Sequence, residues 1–325
     1  MRRDLARQFL YDMLLARRFE LRAAEEYAQG NIAGFLHLYP GEEAVAVGSL
    51  RAADPGDYVV STYREHVHAL VRGTPPEAVM AELFGRSGGC SGGYGGSMHL
   101  FDVERRFLGG YAIVGETFPV AAGVGYWLAM NGEPDVVLCY FGDGAANQGT
   151  FHETLNMVAL WDLPVVFLCE NNHYQIGTEV HRHSAVSHVH RRTGGYGIEA
   201  HWVDGMDVRA VHAATRDALR HVREGNGPVL LECETYRYRG HSMADPAAYR
   251  SALEVDELRA RDPLLNFREW AEGEGWVSAT ESAELDRAAE RAVEEAVDFA
   301  AESPPPRDLH AGVHARPIDL YGGRP

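Results

Sequence analysis

The chain has 325 residues and a formal net charge of −17. That length can bury an ample core, as one large domain with appendages, and that acidity excludes nucleic acid as a partner. All 30 of its strong bases are arginine, with no lysine anywhere, which excludes a phosphate-binding P-loop and lysine Schiff-base chemistry.

In chain order, residues 4–29 read as an amphipathic helix, without the small-residue cleavage site of a signal peptide. Helices follow over 42–53 and 75–84. The segment GRSGGCSGGYGGS at 85–97 is a glycine-dense loop, mobile unless something orders it. A small-residue helix spans 118–130. The run PDVVLCYF at 134–141 reads as a buried parallel strand, 147–161 as a helix and 163–168 as the next strand. The histidine-rich HRHSAVSHVHRR at 181–192 has no cysteine partner and reads as a polar loop rather than a zinc site. A strand at 201–203, a helix at 208–223 and a strand at 228–233 continue the alternation. Residues 252–302 are helical and acidic, with Ser278 and Glu281 spaced as a capping box. The proline-punctuated tail from 303 onward is expected to wrap the surface. The fold class that results is α/β: a mostly parallel sheet covered by helices on both faces. It forms a single domain over 1–325, with a helical N-terminal arm at 1–30 and a helical C-terminal region at 252–325. No apolar run reaches transmembrane length, so no membrane partner is expected. Cys90, Cys139, Cys169 and Cys233 form no CxxC and read as reduced thiols, in keeping with a cytoplasmic location.

The chemistry concentrates at Gly142-Asp143-Gly144 and Asn171-Asn172. Both fall at the carboxyl ends of neighbouring parallel strands, where open α/β sheets bind ligands. Asp143 offers a hard carboxylate and Asn172 a carbonyl oxygen, donors that suit Mg²⁺ completed by phosphate oxygens. Gly142 and Gly144 let the backbone approach a diphosphate, and the following helix N-terminus adds free N–H groups. A Rossmann-type dinucleotide site is disfavoured, because GDG is followed by Asn147 where GxGxxG needs glycine.

These residues resemble the thiamine-diphosphate motif. The wider chain resembles the alpha subunit of the decarboxylating component of 2-oxo acid dehydrogenase complexes. The marks are GFLHLYPGEEAVAVG at 34–48, STYREH at 61–66, GGSMHLFD at 95–102, GGYAIVGE at 109–116, WVDGMD at 202–207 and TYRYRGHSMADP at 235–246. The last is most like the pyruvate type. The resemblance implies thiamine diphosphate and Mg²⁺ as cofactors, with Asp143, Asn172 and the Tyr174 carbonyl as metal ligands. Gly142, Gly144 and Ala145 would lie along the diphosphate, which Arg64 and His241 would grip beside Tyr63. Gly110, Ala112 and Val114 would line the cofactor, and Ile176 would prop it in a bent shape. His66 and His241 would attend the chemistry. Ser242 matches a phosphorylation switch of mitochondrial relatives, although regulation there is not expected in this chain. The chain departs from the family pattern at Val67 and Ala112, where glycine is usual, and the loop at 85–97 lacks the basic residues often found there.

Thiamine catalysis needs a carboxylic acid on the aminopyrimidine ring, and no segment here repeats the fold that would supply it. The resemblance implies a beta subunit carrying that glutamate, in an assembly of two alpha and two beta chains. The implied reaction is decarboxylation of pyruvate and acyl transfer to a lipoyl-bearing acyltransferase core. Acetoin or a branched-chain 2-oxo acid is the alternative substrate, and a catalytically silent scaffold paralogue the alternative of another class.

Overall fold

The computed structural model describes residues 1–308. In chain order come α1 (Arg3–Gln29), α2 (Glu43–Leu50), β1 (Tyr58–Thr62), α3 (His66–Arg72), α4 (Pro76–Leu83), β2 (Phe107–Tyr111) and α5 (Thr117–Asn131). Then follow β3 (Val137–Gly142), α6 (Gly149–Leu160), β4 (Val165–Asn171), the short β5 (Tyr174–Gln175) and β6 (Thr178–Glu179), and α7 (Val180–His183). The chain continues with β7 (Glu199–Asp204), α8 (Val208–Arg223), β8 (Val229–Glu234), α9 (Ala252–Arg259), α10 (Pro263–Gly273) and α11 (Ala279–Glu302).

Six strands form one sheet in the order β2-β1-β3-β4-β8-β7, and every neighbouring pair is parallel. The apolar runs of β3 and β4 are nearly unbroken because helices cover both faces. Successive side chains divide between the faces. Leu138, Tyr140, Val166 and Leu168 join the core under α1, α2, α3, α4, α8 and α11. Val137, Cys139, Phe141, Val165 and Phe167 join the core under α5 and α6. Strand order reverses between β1 and β3. The chain leaves β1 toward β2 on one side, recrosses through α5 to β3, and moves on to β4 through α6. A crevice opens at such a reversal, outside the carboxyl ends of the strands.

The elements expected from sequence are present, with three refinements. β1, α3 and β2 were not legible: each is five to seven residues long, and β2 contains two glycines. The expected helix at 147–161 starts as a 3₁₀ turn over Asp143–Asn147 before α6. The helical region at 252–302 is three helices, the second opened by Asp262, whose side chain accepts the backbone N–H groups of Leu264 and Leu265 at 3.0 Å. The glycine loop is ordered by the buried Glu82. Its carboxylate accepts N–H groups from Ser91 and Gly93 at 2.8 Å and from Gly95 at 2.7 Å. The surface course expected of the tail falls largely on residues 309–325, outside the described residues.

The N- and C-terminal helices pack on one another through arginines of α1. Arg3 and Arg7 reach Glu281, Arg18 reaches Asp286 and Glu290, and Arg22 reaches Glu294. Glu281 also closes the capping box expected from sequence, reciprocally with Ser278. Ser278→Ala removes one half of that box and is expected to lower stability by about 1 kcal/mol; urea denaturation of the full chain measures it.

Candidate active site

A cavity of about 410 Å³ lies at the strand reversal. Its walls come from the ends of β1, β3 and β4, the segment after β2, the loop before α2, and the loop after β8. Tyr63, Arg64, Ala112, Val114, Gly142, Asp143, Gly144, Ala145, Asn172, Tyr174, Ile176, His241 and Ser242 all line it. Residues from 63 to 242 thus converge on one space, as their positions after parallel strands require.

Asp143 and Asn172 stand at the ends of neighbouring strands and are almost wholly buried. Asp143 is met by His183 Nε2 at 3.2 Å. Asn172 donates to Glu42 at 3.0 Å and accepts the Tyr174 backbone N–H at 3.3 Å. The Tyr174 hydroxyl turns away to Glu254, at 2.8 Å, so its ring belongs to a separate tyrosine cluster with Tyr236 and Tyr238. Gly144 has no room for a side chain: a Cβ there would come within 2.5 Å of Gln175. At Gly142 a Cβ would meet no protein atom within 4 Å, so the backbone there faces open cavity. A carboxylate and an amide over a bare backbone suit a hard cation carrying an anionic ligand.

Arg64 is buried and already engaged. It donates to the carbonyls of Leu38 at 2.6 Å and His241 at 2.9 Å, and its Nε lies 3.8 Å from Glu42. Burial pushes the Glu42 carboxyl up to about 7; Arg64 opposes that rise and Glu170 adds to it. Tyr63, His37 and His241 form an aromatic triad with centroids 4.6, 5.1 and 5.6 Å apart. Burial and the Arg64 charge depress His37 to about 2 and His241 to about 3. Both imidazoles are therefore neutral hydrogen-bonding groups rather than cations. The Nδ1 atoms of both, and Glu42 Oε2, are buried without a hydrogen-bond partner. Such atoms are costly when left unpaired, and a polar ligand in the cavity would satisfy them.

Ile176 sits at the mouth with φ +54°. It occupies the two-residue loop of the β5–β6 hairpin, whose strands pair antiparallel, at a position where a β-branched residue is strained and glycine is usual. Its side chain is 59% exposed, beside Ile113 at 68% and Phe35 at 60%. Arg237 holds the strained turn by donating to the Ile176 carbonyl at 3.0 Å.

Two of the expected residues stand away from the cavity. His66 does not line the cavity. It opens α3, is fully buried, and is fixed between Glu20 at 3.1 Å and the Ser97 hydroxyl at 2.8 Å. Burial alone would lower its pKa, but Glu20 reverses the sign and holds it above the ordinary histidine value. Gly110 also lies off the cavity, where a Cβ would strike the Glu65 carboxylate at 2.0 Å. Conversely, His37, Glu42, Glu170 and Arg237 line the cavity and were not singled out. The signal for Glu170 was its position: an acid at the apolar end of a strand, immediately before Asn171-Asn172.

The two depressed histidines carry a pH consequence. In the unfolded chain each takes a proton near 6.5, whereas in the folded chain neither does until about 3 or below. Their contribution to stability is present above about 6.5 and is lost as pH falls toward 3. His241→Asn is expected to flatten the fall in the urea midpoint between pH 7 and pH 4; an unchanged slope would contradict the assignment.

Residues 11–308 match the family described as Dehydrogenase E1 component. The pyruvate dehydrogenase E1 component subunit alpha of Rhizobium meliloti (strain 1021) is 48% identical over 296 residues, 91% of this chain and 85% of that protein. The protein of the same name from Zymomonas mobilis is 48% identical over 303 residues, 93% of this chain and 85% of the relative. That from Porphyra purpurea is 44% identical over 302 residues, 91% and 88% of the two chains. With the match spanning the strand-end motifs and nearly the whole sequence, the chain belongs to the dehydrogenase E1 component family.

Proposed function

We propose that this chain is the alpha subunit of a thiamine-diphosphate-dependent pyruvate dehydrogenase, which decarboxylates pyruvate and passes the acetyl group to a lipoyl arm. The observation that carries this reading is the convergence of Asp143 and Asn172 on one cavity with Arg64 and His241. The names of the relatives support pyruvate as the substrate. When bound, thiamine diphosphate supplies the nucleophilic carbon and the electron sink of the reaction.

The chain's own residues hold and orient. Asp143 and Asn172, with the Tyr174 carbonyl, would hold Mg²⁺. Arg64 carries the positive charge that faces the diphosphate, and neutral His37 and His241 have unpartnered nitrogens free for hydrogen bonds to phosphate or water. Ala112, Val114 and Ile176 give the apolar wall that keeps water from the reacting end.

A second subunit completes the site. Ile113, Ile176 and Phe35 expose apolar surface at the cavity mouth. Tyr126, Trp127 and Met130 on α5, with Leu160 and Trp161 at the end of α6, expose more. Patches of this kind mark protein interfaces. A beta chain placed there would close the cavity and bring the carboxylic acid for the aminopyrimidine ring, in an assembly of two alpha and two beta chains that docks on a lipoyl-bearing acyltransferase core. Four free cysteines, three of them buried, support a reducing, cytoplasmic setting.

The test is co-expression with the neighbouring beta gene, calorimetric titration of thiamine diphosphate with and without Mg²⁺, and product release from pyruvate, acetoin and 3-methyl-2-oxobutanoate. Mg²⁺-dependent binding with CO₂ release from pyruvate supports the reading. Turnover of another substrate revises the specificity alone, and absence of binding favours a silent scaffold. Asp143→Asn is expected to weaken Mg²⁺-dependent binding at least about tenfold, the loss of about 1.4 kcal/mol or more for a metal-bound carboxylate. Ile176→Gly separates fold from function. It relieves the left-handed strain, raising chain stability by about 1 kcal/mol, and it lowers turnover by removing the apolar wedge; equal turnover would exclude that role.

A further inference from the structure

The histidine-rich segment at 181–192 meets a third ligand that its own sequence does not contain. His188 and His190, two residues apart at the start of the 3₁₀ segment Val189–Tyr196, both turn toward Glu232 on β8. Glu232 is fully buried, in register with Cys169 of β4 on one side and Trp202 of β7 on the other. We propose that His188, His190 and Glu232 form a binding site for a divalent transition-metal ion of the Zn²⁺ class, separate from the cavity at the strand reversal.

One ligand atom from each residue lies within 4.8 Å of the others. His190 Nδ1 is 2.5 Å from Glu232 Oε2, and His188 Nδ1 is 3.8 Å from Oε1. A tetrahedral zinc with bonds of about 2.1 Å sets its ligands about 3.4 Å apart, and the observed distances bracket that value. The carboxylate is held by two further groups that would stand behind the metal. Asn171 Nδ2 donates to Oε1 at 2.7 Å, and the His190 backbone N–H donates to Oε2 at 3.0 Å. Outer contacts of this kind fix the orientation of a ligand.

The arrangement without a metal is incomplete. Among the described residues no arginine pairs with Glu232, and its oxygens are taken up by His190 and Asn171. His188 Nδ1 is buried with no hydrogen-bond partner, and its side chain is 41% exposed. A cation between the three groups would satisfy that nitrogen, neutralise the buried carboxylate, and leave a fourth position open to water. Imidazole ligands select zinc-like ions, whereas Mg²⁺ prefers oxygen, so the two sites sort different cations. They are joined by adjacent residues: Asn171 orients Glu232, while Asn172 lines the cavity. The same segment carries His183, which meets Asp143 at 3.2 Å. Metal binding would therefore pin the 180–196 segment to the sheet beside the cavity.

The experiment uses the full chain, stripped with a chelator and kept in excess Mg²⁺. Zn²⁺ is titrated against a chromophoric competitor, and Co²⁺ is followed by its visible absorption. Wild type is expected to bind one Zn²⁺ per chain, and His188→Ala or His190→Ala to weaken it at least about tenfold. His181→Ala, an exposed histidine of the same segment outside the cluster, is expected to leave the affinity unchanged. His188 is partly exposed, so its alanine variant should keep the fold, which circular dichroism checks. Co²⁺ bands of a four-coordinate ion that vanish in His190→Ala support the site. No stoichiometric Zn²⁺, or equal affinity in wild type and His188→Ala, overturns it and leaves His190 and Glu232 as a hydrogen-bonded pair only.

Discussion

The buried guanidinium of Arg64 ties the cavity together. A cation out of water is tolerated only with partners close by, and Arg64 draws them from distant parts of the chain. It takes the Leu38 carbonyl from the loop before α2, the His241 carbonyl from the loop after β8, and the Glu42 carboxylate. Glu42 in turn holds Asn172, which brings the end of β4 into the same network. Below it, Glu170 is gripped by the Tyr39 hydroxyl and by His68 at 3.1 Å. The strand ends supply the geometry, and this charge network sets how the loops above them close.

With no lysine in the sequence, arginine is the only strong base, and it makes every ion pair among the described residues that does not involve histidine. Arginine presents a planar fork that binds carboxylates with two bonds. Arg51 shows it best, donating to the two oxygens of the buried Asp12 at 2.6 and 2.9 Å. The more exposed pairs along α1 and α11 contribute little each, but they align two long helices whose apolar stripes pack together beneath them. The acidic surplus expected from composition is thus largely on the outside of the C-terminal helices.

What the sequence disclosed follows the range of the forces involved. Local apolar patterning placed α1 and α8 by a helical repeat, α5 by its run of small residues, and β3, β4 and β8 by nearly unbroken apolar runs. β1 and β2 escaped because five residues hold too little pattern, and Gly109 and Gly110 dilute that of β2. The motif residues Asp143 and Asn172 were legible since each follows an apolar strand. The orientation of His66 was not. Glu20, which claims it from α1, lies 46 positions away, and a pairing at that range leaves no local trace. The same holds for Glu232 on β8, which meets His190 from 42 positions away. In each case the missing information was a buried carboxylate that acts at a distance in sequence.

The convergence on Arg64 also bears on how the chain reaches its folded state. The groups it joins span residues 38 to 241, so the cavity exists only after most of the sheet has been laid down in order. Contacts of such wide separation carry a large loop-closure cost and form late. The helices and the β3–β4 unit can assemble from local contacts first, while the ligand pocket arrives with the last closure. A chain stalled before that step would have its core but no cavity, and a ligand that fits the pocket would draw such chains toward the native state by mass action.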